Sequence, residues 1–112
     1  MSKRDIALLI EDILVAGNRI LSYTAGMDYD QFIADSKTID AVVRNFEIIG
    51  EASRRIPEDF KLEHPEIQWR EIVDFRNRII HEYFGVDYEV VWTIKEEYLP
   101  GLIEWLNDLS SK

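Results

Sequence analysis

Eight residues near the middle of the chain, Arg76 to Tyr83, concentrate the side chains best suited to acid–base and phosphate chemistry. His81 is one of two histidines, and the chain has no cysteine, so its imidazole is the best available acid or base near neutral pH. A few residues earlier, Arg76 supplies a fixed positive charge that can bind a phosphate through two nitrogens. The pair is suited to phosphodiester chemistry without a metal ion.

The spacing within this stretch decides which of its groups can act together on a helix. At about 100° per residue, Asn77 and Arg78 lie one turn before His81 on the same face. Arg76 lies about 140° away from His81, on a stripe that is otherwise apolar, and a charge on that side needs a partner. The apolar members of the stripe are Trp69, Ile72, Val73, Ile80 and Tyr83.

Three interpretations of this arrangement stay open on spacing alone. The helix stops near His81 and lets Arg76 and His81 converge, or a second copy of the chain brings the two groups together. Alternatively, Arg76 caps backbone carbonyls and His81 is a polar residue at a helix end, with no chemistry.

The order Arg76, four residues, His81, one residue, Tyr83 resembles the signature of the HEPN superfamily, and in particular its HepT-like branch. The resemblance extends over roughly residues 36 to 95. Its other matching positions are the segment 44–52, Pro57, the segment 64–67, Trp69 and the segment 83–87.

HepT-like proteins are ribonuclease toxins that a partner nucleotidyltransferase of the MntA type inhibits. The resemblance therefore implies that His81 takes a proton from the ribose 2′-hydroxyl or gives one to the leaving 5′-oxygen. It implies that Arg76 stabilises the charge on the phosphorane. Asn77 would orient the imidazole or bind a phosphate oxygen, Arg78 would add local positive charge, and Tyr83 would be the residue that the partner adenylylates.

The resemblance and the residues together lead us to expect a homodimer. One histidine per chain is available for two proton-transfer roles, so a second chain would supply the other imidazole. No cofactor is expected, because the sequence offers no evident ligand set for a catalytic metal.

The overall charge is the main observation against a ribonuclease. The chain has 13 basic and 22 acidic residues, a net charge of -9, which argues against a broad nucleic-acid surface. An RNA substrate would need positive charge focused locally, as by Arg70, Arg76 and Arg78, or charge contributed by a partner. The alternative is a non-catalytic helical partner that binds and regulates a nucleotidyltransferase, and an acidic chain suits that role. A third possibility is a structural helical dimer without chemistry.

Composition also bears on the compartment. Zero cysteines exclude disulfides and thiolate metal sites, which fits a reducing environment. Acidic residues interrupt the apolar residues at the N-terminus, and no run approaches the roughly 20 residues needed to span a bilayer. A cytoplasmic protein without a membrane segment is expected.

Helical periodicity predicts a single all-α domain over residues 1–112, an up-and-down bundle of four main helices with a possible short fifth. The first helix is expected to begin at Ser2, which forms a capping box with Asp5. The second is expected to begin at Asp35 or Ser36 and to end before Pro57.

The second half of the chain is predicted to hold the remaining helices. The third helix would start near Trp69 and continue until Gly85, and the fourth would be capped by Asp87. Pro100-Gly101 would kink this helix or restart it as the short fifth. The segment from Pro57 to Pro65 is predicted to be a loop with Phe60 and Leu62 as anchors, and His64 is assigned a structural role.

The second helix also carries a face of mixed charge that is typical of solvated helix pairs. Its members are Arg44, Glu47, Glu51, Arg54 and Arg55. Because the resemblance includes Arg44 to Glu51, this face is expected beside the site or the dimer contact, with neither glutamate catalytic. Gly50 in the same helix predicts a close approach of another backbone.

Overall fold

A computed structural model describes residues 1–81 and 85–110, without the side chains of His81 and Ser110. Most of these residues are helical and only four lie in strands, which confirms the all-α class. The α-helices are α1 (Lys3–Tyr23), α2 (Tyr29–Ile33), α3 (Ser36–Arg55), α4 (Glu58–Glu63), α5 (Trp69–Val73), α6 (Phe75–Ile79), α7 (Tyr88–Thr93) and α8 (Leu99–Ser110). A π-helical turn, Ile94–Tyr98, joins α7 to α8, and two strands of two residues follow α6: β1 (Ile80–His81) and β2 (Gly85–Val86).

The two long helices α1 and α3 begin where their capping residues predict. The Ser2 hydroxyl accepts a hydrogen bond from the Asp5 N–H at 3.1 Å, and the Asp5 carboxylate accepts one from the Ser2 N–H at 3.2 Å. Asp35 caps α3 by accepting from the Thr38 N–H at 3.1 Å, and this bond holds the pKa of the Asp35 carboxyl below its usual value. These bonds satisfy donors that the first helical turn leaves free.

The core lies between these two helices and the elements that follow. Ile13 and Ile20 of α1 and Phe46 and Ile49 of α3 are fully buried. A Cβ on Gly50 would lie 3.4 Å from the carbonyl oxygen of Val73, so the predicted close approach is confirmed and involves α5. Gly50 therefore lets α5, and with it the start of the candidate site, pack directly on α3.

The C-terminal helices form one uninterrupted helical run, so Pro100-Gly101 does not start a separate fifth helix. Pro100 has no N–H to donate to the preceding turn, and the chain widens into a π-turn just before it. There the Leu99 N–H donates to the carbonyl of Ile94, five residues back. In the described part of the chain, no helix is both long enough and apolar enough to cross a membrane.

The segment expected to be a loop contains the helix α4. Of its two proposed anchors, one is packed against the protein and the other is exposed. Leu62 is 71% exposed, so the prediction that it anchors the segment is wrong. Phe60 packs on the ring of His64 at 4.6 Å between centroids. His64 also contacts Trp105, and its carbonyl accepts from the indole N–H of Trp69 at 3.1 Å, as its structural assignment predicted.

Candidate functional site

The helix that carries the candidate residues ends at Ile79, and the chain then turns back as a short hairpin. Ile80 has φ −108° and ψ 121°, which is extended backbone. The register pairs Ile80 with Val86 and His81 with Gly85. The prediction that the third helix continues to Gly85 is therefore wrong.

Gly85 in β2 and Asp87 just after it explain why the helix ends at Ile79. Gly85 has φ +79°, a conformation that costs glycine little and other residues more, and it allows the chain to reverse. The Asp87 N–H then donates to the carbonyl of Ile79 at 2.6 Å. Asp87 itself caps α7 by accepting from the Val90 N–H at 3.2 Å, as the sequence predicted.

This geometry changes the relation of His81 to the residues before it. Because His81 lies in β1, it does not share a helical face with Asn77 and Arg78. One interpretation left open by spacing was that the helix stops near His81 and lets Arg76 and His81 converge. The helix does stop before His81, as that interpretation requires. The side chain of His81 and the whole of Tyr83 lie outside the described residues.

Arg76 does not lie on the inward side of its helix, contrary to the expectation. A turn at Asp74 separates α5 from α6, and Phe75 and Ile79 take the buried positions instead. The Arg76 side chain is 60% exposed, and its Nε lies 3.7 Å from Oε1 of Glu47 on α3. Its charge therefore has a partner at the surface of the bundle.

Asn77 and Arg78 are both exposed beside Arg76. The Asn77 side-chain amide donates to Oδ1 of Asp74 at 2.8 Å, which fixes the orientation of the amide. Its second N–H can still donate to a phosphate oxygen, and its carbonyl oxygen can accept a hydrogen bond from a donor group. Arg78 has no carboxylate within 4.0 Å among the described residues.

Glu47 is the residue at this site that sequence reasoning did not assign. It lies on the mixed-charge face of α3, which the structure places beside Arg76 as expected. The next carboxylate along that face, Glu51, instead binds Arg54 at 2.6 and 3.1 Å. These hydrogen bonds hold the pKa of the Glu51 carboxyl below its usual value, so Glu51 is a poor proton acceptor. The sequence signal for Glu47 was its place on the charged face of α3, three residues after Arg44. Spacing within one helix, however, does not reveal an ion-pair partner on another helix.

The described residues also bear on metal binding. Among the described side chains, those of residues 1–80 and 85–109, no group of three or more histidine, aspartate or glutamate residues is arranged to hold a metal ion.

Comparisons with known proteins agree with the motif and the fold. A family model described as Ribonuclease HepT-like matches residues 13–109. A Methanocaldococcus jannaschii protein named "Putative RNase MJ1380" is 45% identical over 91% of this chain and 94% of its own length. A second protein of that organism, "Putative RNase MJ0127", is 37% identical over 97% of this chain and 90% of its own.

The "Probable ribonuclease HepT" of Thermococcus cleftensis is 47% identical over 89% of this chain and 91% of its own length. No solved structure matches the chain. The family model and these relatives cover nearly the whole chain, and the fold is the all-α one that the HEPN resemblance implied. The chain belongs to the HepT-like ribonuclease family.

Proposed function

We propose that this protein is a metal-independent endoribonuclease and the toxin of a HepT/MntA-type toxin–antitoxin system. The observation that carries the proposal is the placement of Arg76: its side chain is 60% exposed, its Nε lies 3.7 Å from a carboxylate oxygen of Glu47, and its helix ends two residues before His81. The family and the ribonuclease names of the relatives support the same activity.

The reaction is an attack of the ribose 2′-oxygen on the adjacent phosphorus. A new P–O2′ bond forms, the P–O5′ bond breaks, and the products are a 2′,3′-cyclic phosphate and a 5′-hydroxyl. One proton leaves the 2′-hydroxyl and one reaches the 5′-oxygen, and His81 performs one of these transfers. A second imidazole, from the partner chain of a homodimer, performs the other.

Arg76 stabilises the phosphorane because negative charge on the phosphoryl oxygens grows in the transition state. With Nε facing Glu47, the two terminal nitrogens are free to bind two oxygens of one phosphate. Asn77 and Arg78, exposed next to it, bind the remaining phosphate oxygens or the neighbouring phosphate.

The test is RNA cleavage by the purified protein and its variants. His81→Ala and Arg76→Ala are each expected to lower the cleavage rate by about 100-fold or more, because each removes a transition-state interaction. Circular dichroism should show unchanged helical content. Arg19→Ala removes an exposed charge on α1 and serves as the matched control.

Wild-type cleavage should continue in EDTA. Loss of activity in EDTA that Mg²⁺ restores contradicts the metal-independent mechanism. A wild-type protein that cleaves no RNA but binds a nucleotidyltransferase supports the alternative, a non-catalytic regulatory partner.

The proposed regulation acts on Tyr83. Its phenol oxygen attacks the α-phosphate of ATP in the active site of an MntA-type partner, the bond to pyrophosphate breaks, and AMP stays on the tyrosine. The attached phosphodiester brings negative charge and bulk to the cations that must receive the RNA phosphate.

Incubation with the cognate transferase and ATP should add mass in steps of one AMP and stop RNA cleavage. Tyr83→Phe should cleave RNA normally and resist inactivation. Tyr88→Phe, which alters a tyrosine 43% exposed on α7, is the control and should still be modified. Mass addition that persists in Tyr83→Phe places the modification elsewhere.

A further inference from the structure

A groove with basic side chains lies between the C-terminal end of α3, α4 and α5. Its lining residues come before Arg76 and His81 in the sequence. The groove has a volume of about 620 Å³. Three cationic side chains line it: Arg54, Lys61 and Arg70. Leu62, whose side chain is largely exposed, supplies apolar surface at its edge.

The cations of this groove are only partly neutralised by the protein. Lys61 and Arg70 have no carboxylate within 4.0 Å among the described residues. Arg54 binds Glu51 through Nε and Nη2, which leaves Nη1 for a ligand. Such cations are suited to a phosphate anion.

Two carboxylates also line the groove, and one of them accepts a hydrogen bond from another side chain. Asp74 accepts the amide hydrogen bond of Asn77, while Glu58 lies in the first turn of α4. Three cations and two carboxylates therefore line the groove, and the charge of Arg54 is partly neutralised by Glu51. Among the described residues, the lining cations without a carboxylate within 4.0 Å are Lys61 and Arg70.

The distribution of charge along the chain favours this side of the molecule for an anionic ligand. The segment 44–78 holds seven of the 13 basic residues and eight of the 22 acidic ones, so it is close to neutral. The remaining residues hold six basic and 14 acidic residues and carry most of the net charge of -9. A polyanion approaching the protein is therefore repelled least at this segment.

The groove continues into the candidate site. Arg70, Asp74 and Asn77 are spaced four and three residues apart along α5 and α6, which places them along one side. Asp74 lines the groove and binds Asn77, the neighbour of Arg76. At about 1.5 Å per residue, Arg70 and Asn77 are about 10 Å apart along the helix, so one RNA strand can contact both.

We propose that this groove binds the phosphate backbone of single-stranded RNA next to the cleaved bond. The proposal rests on the proposed ribonuclease function, because it makes the groove an extension of that site. Lys61 and Arg70 each contact a phosphate, and Arg54 contributes its free nitrogen. A dinucleotide fills only the site around Arg76, whereas a longer RNA also occupies the groove.

The test compares Lys61→Gln/Arg70→Gln with the control Arg19→Gln/Lys37→Gln, which removes the same charge from exposed cations outside the groove. Binding is measured by fluorescence anisotropy with a single-stranded 2′-O-methyl RNA, which lacks the attacking hydroxyl and cannot be cleaved. Cleavage is measured with a long single-stranded RNA and with a dinucleotide.

The groove variant should bind the oligonucleotide about tenfold more weakly than the control variant at low salt. Its slope of log affinity against log salt should be smaller by about 1.4, the loss expected for two phosphate contacts on a single strand. Its kcat/KM should fall for the long RNA and stay unchanged for the dinucleotide.

Equal affinity and equal salt slope in the groove and control variants overturn the proposal, as does an equal loss on the dinucleotide. If the wild-type protein cleaves nothing yet binds the oligonucleotide through the groove, the proposed function fails and the groove stands. If it cleaves RNA and the groove variant matches the control, the groove fails and the proposed function stands. If it neither binds nor cleaves, both are wrong.

Discussion

At the scale of single residues, the contact between Arg76 and Glu47 is the feature of the site that mutagenesis can isolate. Both side chains are substantially exposed, at 60% and 44%, so their ion pair contributes little to stability, at most about 1 kcal/mol. We propose that Glu47 is instead a positioning residue that acts through Arg76, because its carboxylate lies 3.7 Å from Nε of that arginine.

Glu47→Gln is expected to lower kcat for RNA cleavage by about tenfold while changing KM little, because the contact it disturbs matters most in the transition state. The melting temperature should change by less than about 4 °C. Rate measurements on Glu47→Gln, Glu47→Asp and Glu51→Gln provide the check. Glu47→Asp keeps the charge and should recover part of the loss.

Glu51→Gln is the matched control, since Glu51 lies one turn further along α3 and binds Arg54 instead. A similar loss of activity in Glu51→Gln, or a drop in stability that accounts for the loss in Glu47→Gln, contradicts the positioning role.

The sequence predicted those residues whose roles depend on local chemistry. Ser2 and Asp35 cap their helices with side chains that reach only three residues ahead, and Gly50 lies where the backbone of α5 approaches α3. Arg76 was placed on the wrong side because the buried positions are Ile72, Phe75 and Ile79, and Arg76 lies beside that stripe. The spacing of these three residues, three and then four positions, was the available signal.

At the scale of elements, the hairpin formed by β1 and β2 is what sets the position of His81. Its reversal depends on Gly85, whose φ of +79° is unfavourable for a side chain, although nothing lies within 4 Å of a Cβ built there. A substitution at Gly85 therefore tests backbone conformation without a steric clash.

Gly85→Ala is expected to lower the free energy of unfolding by about 1 kcal/mol, which corresponds to a decrease of about 4 °C in Tm. Gly101→Ala is the control: Gly101 also has open space around its Cβ position, but it lies in α8. Alanine is favoured over glycine in a helix by up to about 1 kcal/mol, so this variant should be more stable. Thermal unfolding followed by circular dichroism measures both.

RNA cleavage by the two glycine variants then links the hairpin to function. Gly85→Ala should lower cleavage, because it disturbs the strand that holds His81, while Gly101→Ala should leave it unchanged. Equal stability changes of the same sign would contradict the role assigned to Gly85.

The hairpin was missed in the sequence because two-residue strands show no useful alternation. Ile79 and Ile80 continue an apolar helical pattern equally well, and the pairing is set by a contact from Asp87 back to Ile79. The sequence left open whether Pro100-Gly101 kinks the C-terminal helix or restarts it, and it could not locate the π-turn before Pro100. Proline usually ends or kinks a helix, and the π-turn that accommodates Pro100 has no sequence signature of its own.

At the scale of the whole molecule, charge and the supply of imidazoles both limit what one chain can do alone. Most of the net charge of -9 lies outside the segment 44–78, so cations for RNA are concentrated around α3, α5 and α6. His64 is committed to packing, with its ring against Phe60 and Trp105 and its Nδ1 3.5 Å from Glu66. In the proposed mechanism, one chain therefore offers a single histidine, His81, for two proton transfers.

A homodimer in which the segments from Arg76 to Tyr83 face each other would supply the second imidazole and double the local positive charge. Sedimentation velocity at micromolar concentration should show a dimer. Because the chain has no cysteine, Arg78→Cys introduces a single thiol, and a bifunctional maleimide should join two copies through it. Lys37→Cys, about 15 Å along α3 from Glu47, is the control and should not be joined efficiently. A monomer, or a dimer that is joined through position 37 and not through position 78, would show that the two-fold contact lies away from the site and that one chain must complete the reaction with His81 alone.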